Sequence, residues 1–216
     1  RQRFFQQINR VRMENLRSRI SPHFTFNVLG REINQFNGSE EVKHNLMELV
    51  KYLRRSLELT EKLSVSLQDE LDFVRTYIEL ERGRVGEDFV ATVTVEDGLD
   101  ATRIMIPSMI VQIPVENAIK HGLAGKDGKK ELSVYVSRET NGIRITVTDN
   151  GRGYLPQVVS ATRGTGTGLK VLYQTIQLLN TKNKSDKIRF NITNRSDGQT
   201  GTEVSVYIPF RFSYDL

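Results

Sequence analysis

The spacing of apolar residues changes once along this chain, and that change limits the possible folds more than any other feature. Up to about residue 84, apolar residues recur every three or four positions, as they do along one face of an amphipathic helix. After residue 89 they recur at every second position in several short segments, as they do in half-buried strands. The chain is therefore predicted to begin with helices and to continue as an α+β layer structure.

The helical part is predicted to contain a hairpin of two antiparallel helices. Apolar residues from Met13 to Phe36 follow one helical stripe, the turn NGSEE at 37–41 places Ser39 as an N-cap, and a second helix is predicted at 40–59. A hairpin this slim cannot bury its apolar stripe alone. We therefore expect a homodimer in which two hairpins form a four-helix bundle.

The second part is predicted to be a sandwich of one sheet and its helices. A helix that starts at Ser66 covers 67–84, and two further helices lie near 107–121 and 167–180. The alternating segments predict five strands: 89–96, 131–139, 143–149, 187–193 and 202–209. These elements favour a mostly antiparallel sheet with helices packed on one face, and they divide the chain into domains 1–62 and 63–216.

Composition and charge narrow the possible functions. The chain contains no cysteine, which excludes disulfides, thiolate catalysis and cysteine zinc sites. Much of its net charge of +5 lies in the first helix, but the chain shows no basic stripe interleaved with aromatic residues and no recognisable nucleic-acid motif, so no direct nucleic-acid contact is expected.

The basic first helix has two interpretations. It is either a solvated helix face or a segment that lies next to a membrane. The chain starts without methionine, and its most apolar run, at 104–115, is too short and too interrupted to span a bilayer. We therefore expect a fragment at the cytoplasmic face of the cell membrane, anchored through a segment absent from this sequence.

A proline interrupts the first predicted helix directly before a histidine. Pro22 removes a backbone donor from that helix, at a cost of about 3 kcal/mol relative to alanine. One interpretation is a kink between packed helices, in which His23 is a packed helix residue. The other is a bent helix that exposes the His23 imidazole, which is a nucleophile near neutral pH.

The segment PVENAIKHG, at 114–122, places polar side chains in an otherwise apolar helix. Asn117, Lys120 and His121 share one helix face because they lie at positions i, i+3 and i+4. An amide oxygen beside the Glu116 carboxylate suits Mg²⁺, and the two basic groups suit phosphate oxygens. The alternative is a capped amphipathic helix end with basic residues in its last turn.

Two glycine-containing segments complete the polar set. In DNGRGY, at 149–154, Asp149 ends a strand and can accept a hydrogen bond from an exocyclic amine, while Gly151 and Gly153 allow close approach of the backbone. The segment GTGTGLK, at 164–170, opens a helix whose N–H groups suit phosphate. Taken alone, the first segment could also be a β-turn and the second a flexible loop.

The order of these motifs resembles the GHKL nucleotide-binding domain that gyrase-like ATPases and histidine kinases share. With SPHFTFN at 21–27 and YIELERGRVG at 77–86, nearly the whole chain resembles the cytoplasmic part of LytS-like sensor histidine kinases. That resemblance implies ATP-dependent autophosphorylation of His23, a Mg²⁺ cofactor, and transfer of the phosphoryl group to an aspartate on the receiver domain of a response regulator.

The same resemblance implies a role for each matching residue. Asn117 would ligate the Mg²⁺ of ATP, and Lys120 and His121 would face the phosphates. Asp149 would bind the adenine amino group with support from Thr202. The remaining positions are glycines: Gly151 and Gly153 in the adenine pocket, and Gly166 and Gly168 at the phosphate end of a short lid between Tyr154 and Gly164.

The general base and two alternative functions stay open at this level. Phe24 follows His23 where many histidine kinases have an acidic residue, so Glu116 and Asn27 are both candidates for the base. One alternative function is a GHKL ATPase, whose water-activating glutamate would occupy the position of Ile113. The other is a non-catalytic dimeric signalling scaffold with a degenerate nucleotide pocket.

Overall fold

The structure is a computed structural model that describes residues 40–153, 167–183 and 185–214. The first predicted helix, with His23 and Asn27, lies outside these ranges, and so does Gly166. The hairpin and the homodimeric bundle therefore remain predictions.

The described ranges contain four α-helices, one of which continues as a π-helix. They are α1 (Glu40–Glu61), α2 (Leu67–Val85), α3 (Gln112–Asn117), the π-helix Ala118–Leu123 directly after α3, and α4 (Thr167–Asn180). Ser66 caps α2 as predicted, because its hydroxyl accepts a hydrogen bond from the Asp69 N–H at 3.0 Å. None of the helices in these ranges is both long enough and apolar enough to cross a bilayer.

Strands in the described ranges form a small sheet and a large one. The small sheet pairs β1 (Ser64–Ser66) with β3 (Met105–Pro107). The large sheet contains β2 (Phe89–Val95), β4 (Lys130–Glu139), β5 (Gly142–Asp149), β6 (Arg189–Asn194) and β7 (Thr202–Pro209), in the order β2-β4-β5-β7-β6. In this sheet β2 and β4 run parallel and the other pairs antiparallel, so the predicted five-stranded mixed sheet is confirmed.

The prediction of a helix from about residue 107 is wrong at its start. Residues 105–107 pair with β1 instead, and Met109 adopts a positive φ of 70° before α3 begins at Gln112. Pro114 is accommodated in the first turn of α3, where a backbone N–H has no partner within the helix. The sequence did not indicate the β1–β3 pair, because strands this short carry no readable alternation.

The large sheet buries one face under the helices, and this face positions a polar residue. On β5 the inward side chains are Ile143, Ile145 and Val147, each at most 3% exposed. The same alternation turns Asp149 inward at the end of the strand. Since β5 contacts the π-helix, the Asp149 carboxylate lies beneath the helical segment that follows Asn117.

Candidate functional site

A buried carboxylate, that of Asp149, lies where β5 ends beneath the π-helix. The residue is 4% exposed. Its Oδ1 accepts hydrogen bonds from the backbone N–H groups of Gly151, at 2.8 Å, and of Thr202, at 3.4 Å. Among the described residues no hydrogen bond reaches Oδ2, so this oxygen can accept one from the amino group of a ligand.

The surroundings of Asp149 favour its neutral form more than water does. Burial raises the pKa of the carboxyl above its usual range, while the N–H groups of Gly151 and Thr202 and the charge of Arg195 oppose that rise. A carboxylate in such surroundings costs stability unless donors compensate it. The arrangement is therefore typical of a binding site rather than of a core position.

Glycines let separate backbone segments converge on Asp149. A Cβ on Gly122 would lie 2.9 Å from Asp149 Oδ1, and one on Gly151 would lie 2.2 Å from the carbonyl oxygen of Gly122. A Cβ on Gly201, which has a φ of 135°, would lie 1.9 Å from the carbonyl oxygen of Asp149. Sequence reasoning missed the contacts of Gly122 and Gly201, although Gly122 ends the selected segment 114–122 and Gly201 directly precedes Thr202.

Gly153, Thr202 and Gly168 are also predicted from the sequence and lie in the described ranges. Gly153 has a φ of 86° and follows the Asp149 turn, where a Cβ would lie 2.7 Å from Oδ1 of Asn194. Thr202 reaches Asp149 through its backbone rather than its side chain in the hydrogen bond described above. Gly168 is buried in the first turn of α4.

The side chain of Asn117 lies at the junction of α3 and the π-helix and has unused bonding capacity. Its Nδ2 is buried and has no hydrogen-bond partner in the described part of the chain. Buried polar groups are normally paired, and an exception needs a reason such as a ligand, an ion or water. Asn117 is therefore a candidate to bind a group that the protein itself does not supply.

Lys120 is paired with a carboxylate in this structure. Its Nζ lies 3.2 Å from Oε2 of Glu116 and 5.9 Å from the centre of the Tyr77 ring. Because the Lys120 side chain is 43% exposed and has three N–H donors, it can contact a phosphate oxygen in addition to Glu116. His121 is exposed on the same turn.

A second buried carboxylate, which sequence reasoning missed, holds the start of α3. Glu70 of α2 is 0% exposed. It accepts hydrogen bonds at 2.9, 3.0 and 3.1 Å from the N–H groups of Met109, Val111 and Gln112. The first N–H groups of a helix have no partner within it, and the helix dipole favours a negative charge there. The available signal was a glutamate on the apolar face of α2, next to Leu67 and Leu71.

The donor set fits a magnesium–nucleotide complex better than a metal site made of protein alone. No group of three or more His, Asp or Glu side chains in the described ranges could hold a metal ion. Mg²⁺ usually keeps waters and takes substrate phosphates together with one or two protein oxygens. The Asn117 amide oxygen can supply such a ligand, with Lys120 and its positive charge one turn away.

Two family models match the chain. Residues 11–89 match the family model described as histidine kinase. Residues 102–211 match the model described as histidine kinase-, DNA gyrase B-, and HSP90-like ATPase, which covers about half of the chain.

Two relatives of the chain are named as sensor histidine kinases. The chain is 28% identical to the sensor histidine kinase YpdA of Escherichia coli over 93% of its own length and 34% of that protein. It is 32% identical to the sensor histidine kinase/phosphatase LytS of Staphylococcus aureus over 87% of its own length and 33% of that protein. The chain thus spans about a third of the length of these relatives.

Two solved structures have a similar fold. The histidine kinase domain of the blue-light activated kinase from Erythrobacter litoralis EL346 matches with a TM-score of 0.50 at 16% identity, over 95% of this chain and 94% of that one. ShkA, solved in complex with AMPPNP, matches with a TM-score of 0.50 at 16% identity, over 96% of this chain and 46% of that one. At this identity the likeness concerns the fold.

Proposed function

This chain belongs to the histidine kinases within the histidine kinase-, DNA gyrase B-, and HSP90-like ATPase family, and we propose that it phosphorylates itself on His23 with ATP and passes the phosphoryl group to an aspartate of a response regulator. One observation supports this proposal most. The buried Asp149 carboxylate has an available Oδ2 beneath the helical segment that begins at Asn117. Asp149 can accept a hydrogen bond from the adenine amino group, and Asn117 can ligate magnesium beside the phosphates. The two residues therefore match the two ends of Mg-ATP.

The nucleotide would be held from both ends. Asp149 Oδ2 would accept a hydrogen bond from the adenine amino group, and the close backbone approach at Gly122 and Gly151 would keep the carboxylate in place. Asn117 would ligate Mg²⁺, which when bound neutralises charge on the phosphates. Lys120 would contact a phosphate oxygen with one of its three N–H groups while another stays on Glu116, and His121 would lie near the same phosphate.

The transfer step would require little covalent chemistry from the protein. A nitrogen of the neutral His23 imidazole would attack the γ-phosphorus while the bond to the bridging oxygen breaks and ADP leaves. Catalysis then depends on positioning and on compensation of charge. Gly168, in the first turn of α4, and Gly166, which precedes α4 in the sequence, would contact the phosphates through backbone N–H groups.

Glu116 and Asn27 are proposed to act on the proton of His23, Glu116 as a carboxylate base that accepts it and Asn27 as an amide that can only orient the imidazole. Glu116 is 8% exposed, and its two oxygens accept hydrogen bonds from Gln112 and Lys120. For Glu116 to accept a proton, its ion pair with Lys120 must open first. Asn27 lies outside the described residues.

Two alternatives are less favoured. A GHKL ATPase would need a carboxylate at position 113, where an isoleucine with 4% exposure cannot activate water. A scaffold with a degenerate pocket would gain nothing from the buried carboxylate of Asp149, whose ionised form costs stability.

The properties of the longer protein are proposed on the same basis. We propose a homodimer formed by the hairpins, a receiver domain as the partner, and attachment to the membrane through a segment outside this chain. The domain boundary at 62–63 is proposed to separate the hairpin from the nucleotide-binding domain.

Incubation of the 216-residue chain with γ-labelled ATP and Mg²⁺ tests the proposal. We expect acid-labile phosphate on the wild type, none on His23→Ala and little on Asn117→Ala. His44→Ala is the matched control, because His44 is exposed on α1, and it should be labelled like the wild type. Steady ATP turnover without phosphoprotein would favour the ATPase, and absence of nucleotide binding would favour the scaffold.

A further inference from the structure

A hydrogen-bonded path runs from α1 to the helix that carries Asn117. The side-chain amide of Gln112, which is 0% exposed, donates from Nε2 to the hydroxyl of Tyr52 on α1 at 3.4 Å. The same Nε2 donates to Oε1 of Glu116 at 3.1 Å. The amide therefore uses both of its N–H bonds, one toward α1 and one along α3.

Further hydrogen bonds restrain the Gln112 main chain and the Glu116 side chain. Glu70 accepts the hydrogen bond of the Gln112 backbone N–H at 3.1 Å, which fixes the main chain at the start of α3. The other oxygen of Glu116 accepts from Lys120 at 3.2 Å. Rotation of the Gln112 amide would therefore disturb Glu116, and through it Lys120.

Stacking of the Tyr52 ring on two aromatic residues fixes the position of the Tyr52 hydroxyl. The ring stacks on Phe73 with centroids 4.9 Å apart and on Tyr77 with centroids 5.8 Å apart. Both partners belong to α2, so the Tyr52 side chain is seated only when α1 lies against α2. The orientation of the Gln112 amide thus depends on where α1 lies.

Unpartnered polar atoms gather around this path. Within the described ranges, the buried side-chain atoms without a hydrogen bond are Tyr77 Oη, Gln112 Oε1 and Asn117 Nδ2. A buried polar atom that stays unpaired destabilises the fold. Gln112 and Asn117 both belong to α3, and we expect their unpaired atoms to gain partners in the nucleotide-bound state.

We propose that Tyr52 is a positioning residue for the nucleotide site, which it controls through Gln112 and Glu116. The Tyr52 hydroxyl holds the Gln112 amide, the amide holds Glu116, and Glu116 determines where Lys120 lies relative to Asn117. The inference rests on the proposed nucleotide-binding function. Because binding energies are reciprocal, nucleotide binding must in turn stabilise the seating of α1 against α2.

The affinity of the 216-residue chain for the magnesium complex of a non-hydrolysable ATP analogue, measured by calorimetry, tests this inference. Tyr52→Phe removes the hydroxyl and keeps the ring stack, and we expect about threefold to tenfold weaker binding. Tyr77→Phe is the matched control, because it removes a hydroxyl that has no hydrogen-bond partner in the described residues and keeps its ring under Lys120. It should bind within about twofold of the wild type.

A second variant separates positioning from folding. Gln112→Met keeps the side-chain volume but removes the amide, and it should reproduce the loss seen with Tyr52→Phe. The double variant should lose no more than either single one, because both break the same path. Hydrogen exchange of the α1 amides should slow on nucleotide addition in the wild type and much less in Tyr52→Phe.

Three outcomes decide between this inference and the proposed function. Wild-type binding together with unchanged binding by Tyr52→Phe would overturn the inference alone. Equal losses in Tyr52→Phe and Tyr77→Phe would do the same, since the effect would then not depend on the hydrogen bond to Gln112. No nucleotide binding by the wild type would overturn the proposed function, and the inference with it.

Discussion

Gly122 passes so close to Asp149 that a Cβ on the glycine would lie 2.9 Å from the carboxylate Oδ1. The π-helix and the end of β5 can therefore approach each other only while residue 122 lacks a side chain. This contact joins two motifs that lie far apart in the sequence, and it makes a single site from them.

Replacement of Gly122 by alanine is expected to push the Asp149 carboxylate away from its position. Nucleotide affinity should fall about tenfold or more, because a hydrogen bond to a charged group is worth about 1.5–3 kcal/mol. Titration with the magnesium complex of an ATP analogue measures the effect. Gly83→Ala is the control, since no atom lies within 4 Å of a Cβ there, and it should leave affinity unchanged. Equal affinity of both variants would contradict the proposed pocket.

Asp149→Asn should increase stability at neutral pH while it weakens nucleotide binding. Burial raises the pKa of the folded carboxyl, so ionisation destabilises the fold as pH rises through that pKa, and the penalty is absent below the unfolded value of about 3.9. The asparagine variant, which does not ionise, should melt higher than the wild type at pH 7. The difference should shrink toward pH 4.

Thermal melts of Asp149→Asn across this pH range need a control with the same change of charge. Asp97 is exposed, so Asp97→Asn should melt like the wild type at every pH. A lower melting temperature for Asp149→Asn at pH 7 would show that the ionised carboxylate stabilises the fold, against this prediction.

Asn117→Ala should separate nucleotide binding from folding. The variant removes a buried Nδ2 that has no partner in the described residues, so the free energy of unfolding should stay the same or rise slightly. Magnesium-dependent nucleotide binding should be lost, and EDTA should weaken wild-type binding without further effect on the variant. Asn191→Ala, at an exposed position of β6, should behave like the wild type in both assays. Full magnesium dependence in Asn117→Ala would exclude Asn117 as the ligand.

Glu70→Ala should be the most destabilising change among these variants. It leaves the N–H groups of Met109, Val111 and Gln112 buried without an acceptor, at a cost of about 3 kcal/mol or more. Urea unfolding measures the loss. Glu79→Ala removes an exposed ion pair with Arg82 on the same helix and should cost no more than about 1 kcal/mol. Similar losses in the two variants would mean that water replaces the Glu70 carboxylate.

The local part of this architecture could be predicted from the sequence. The alternation of apolar residues at 143–149 predicts β5 and places Asp149 on its inward face. Ser66 predicts the start of α2. Both signals act between residues that are close in the chain. The same is true of the motif around Asn117, whose residue types indicate phosphate and magnesium chemistry without any knowledge of packing.

Contacts between distant residues could not be predicted in this way. Glu70 and Gln112 are 42 positions apart, and Tyr52 and Gln112 are 60 positions apart. From the sequence, Glu70 and Tyr52 could each have many partners. The packing of α1 and α2 against α3 selects Gln112 as a partner of both. The late start of α3 has the same origin, because β1 pairs with residues 105–107.

Sequence alone therefore determined the order and type of most elements, including the five strands of the large sheet, and it predicted the residues that we propose to bind a nucleotide. Tertiary structure decided which carboxylate supports α3, which glycines face Asp149, and how α1 reaches Gln112. The physical reason is that periodicity and capping depend on neighbours along the chain, whereas the partner of a buried polar group depends on which surfaces meet when the chain folds.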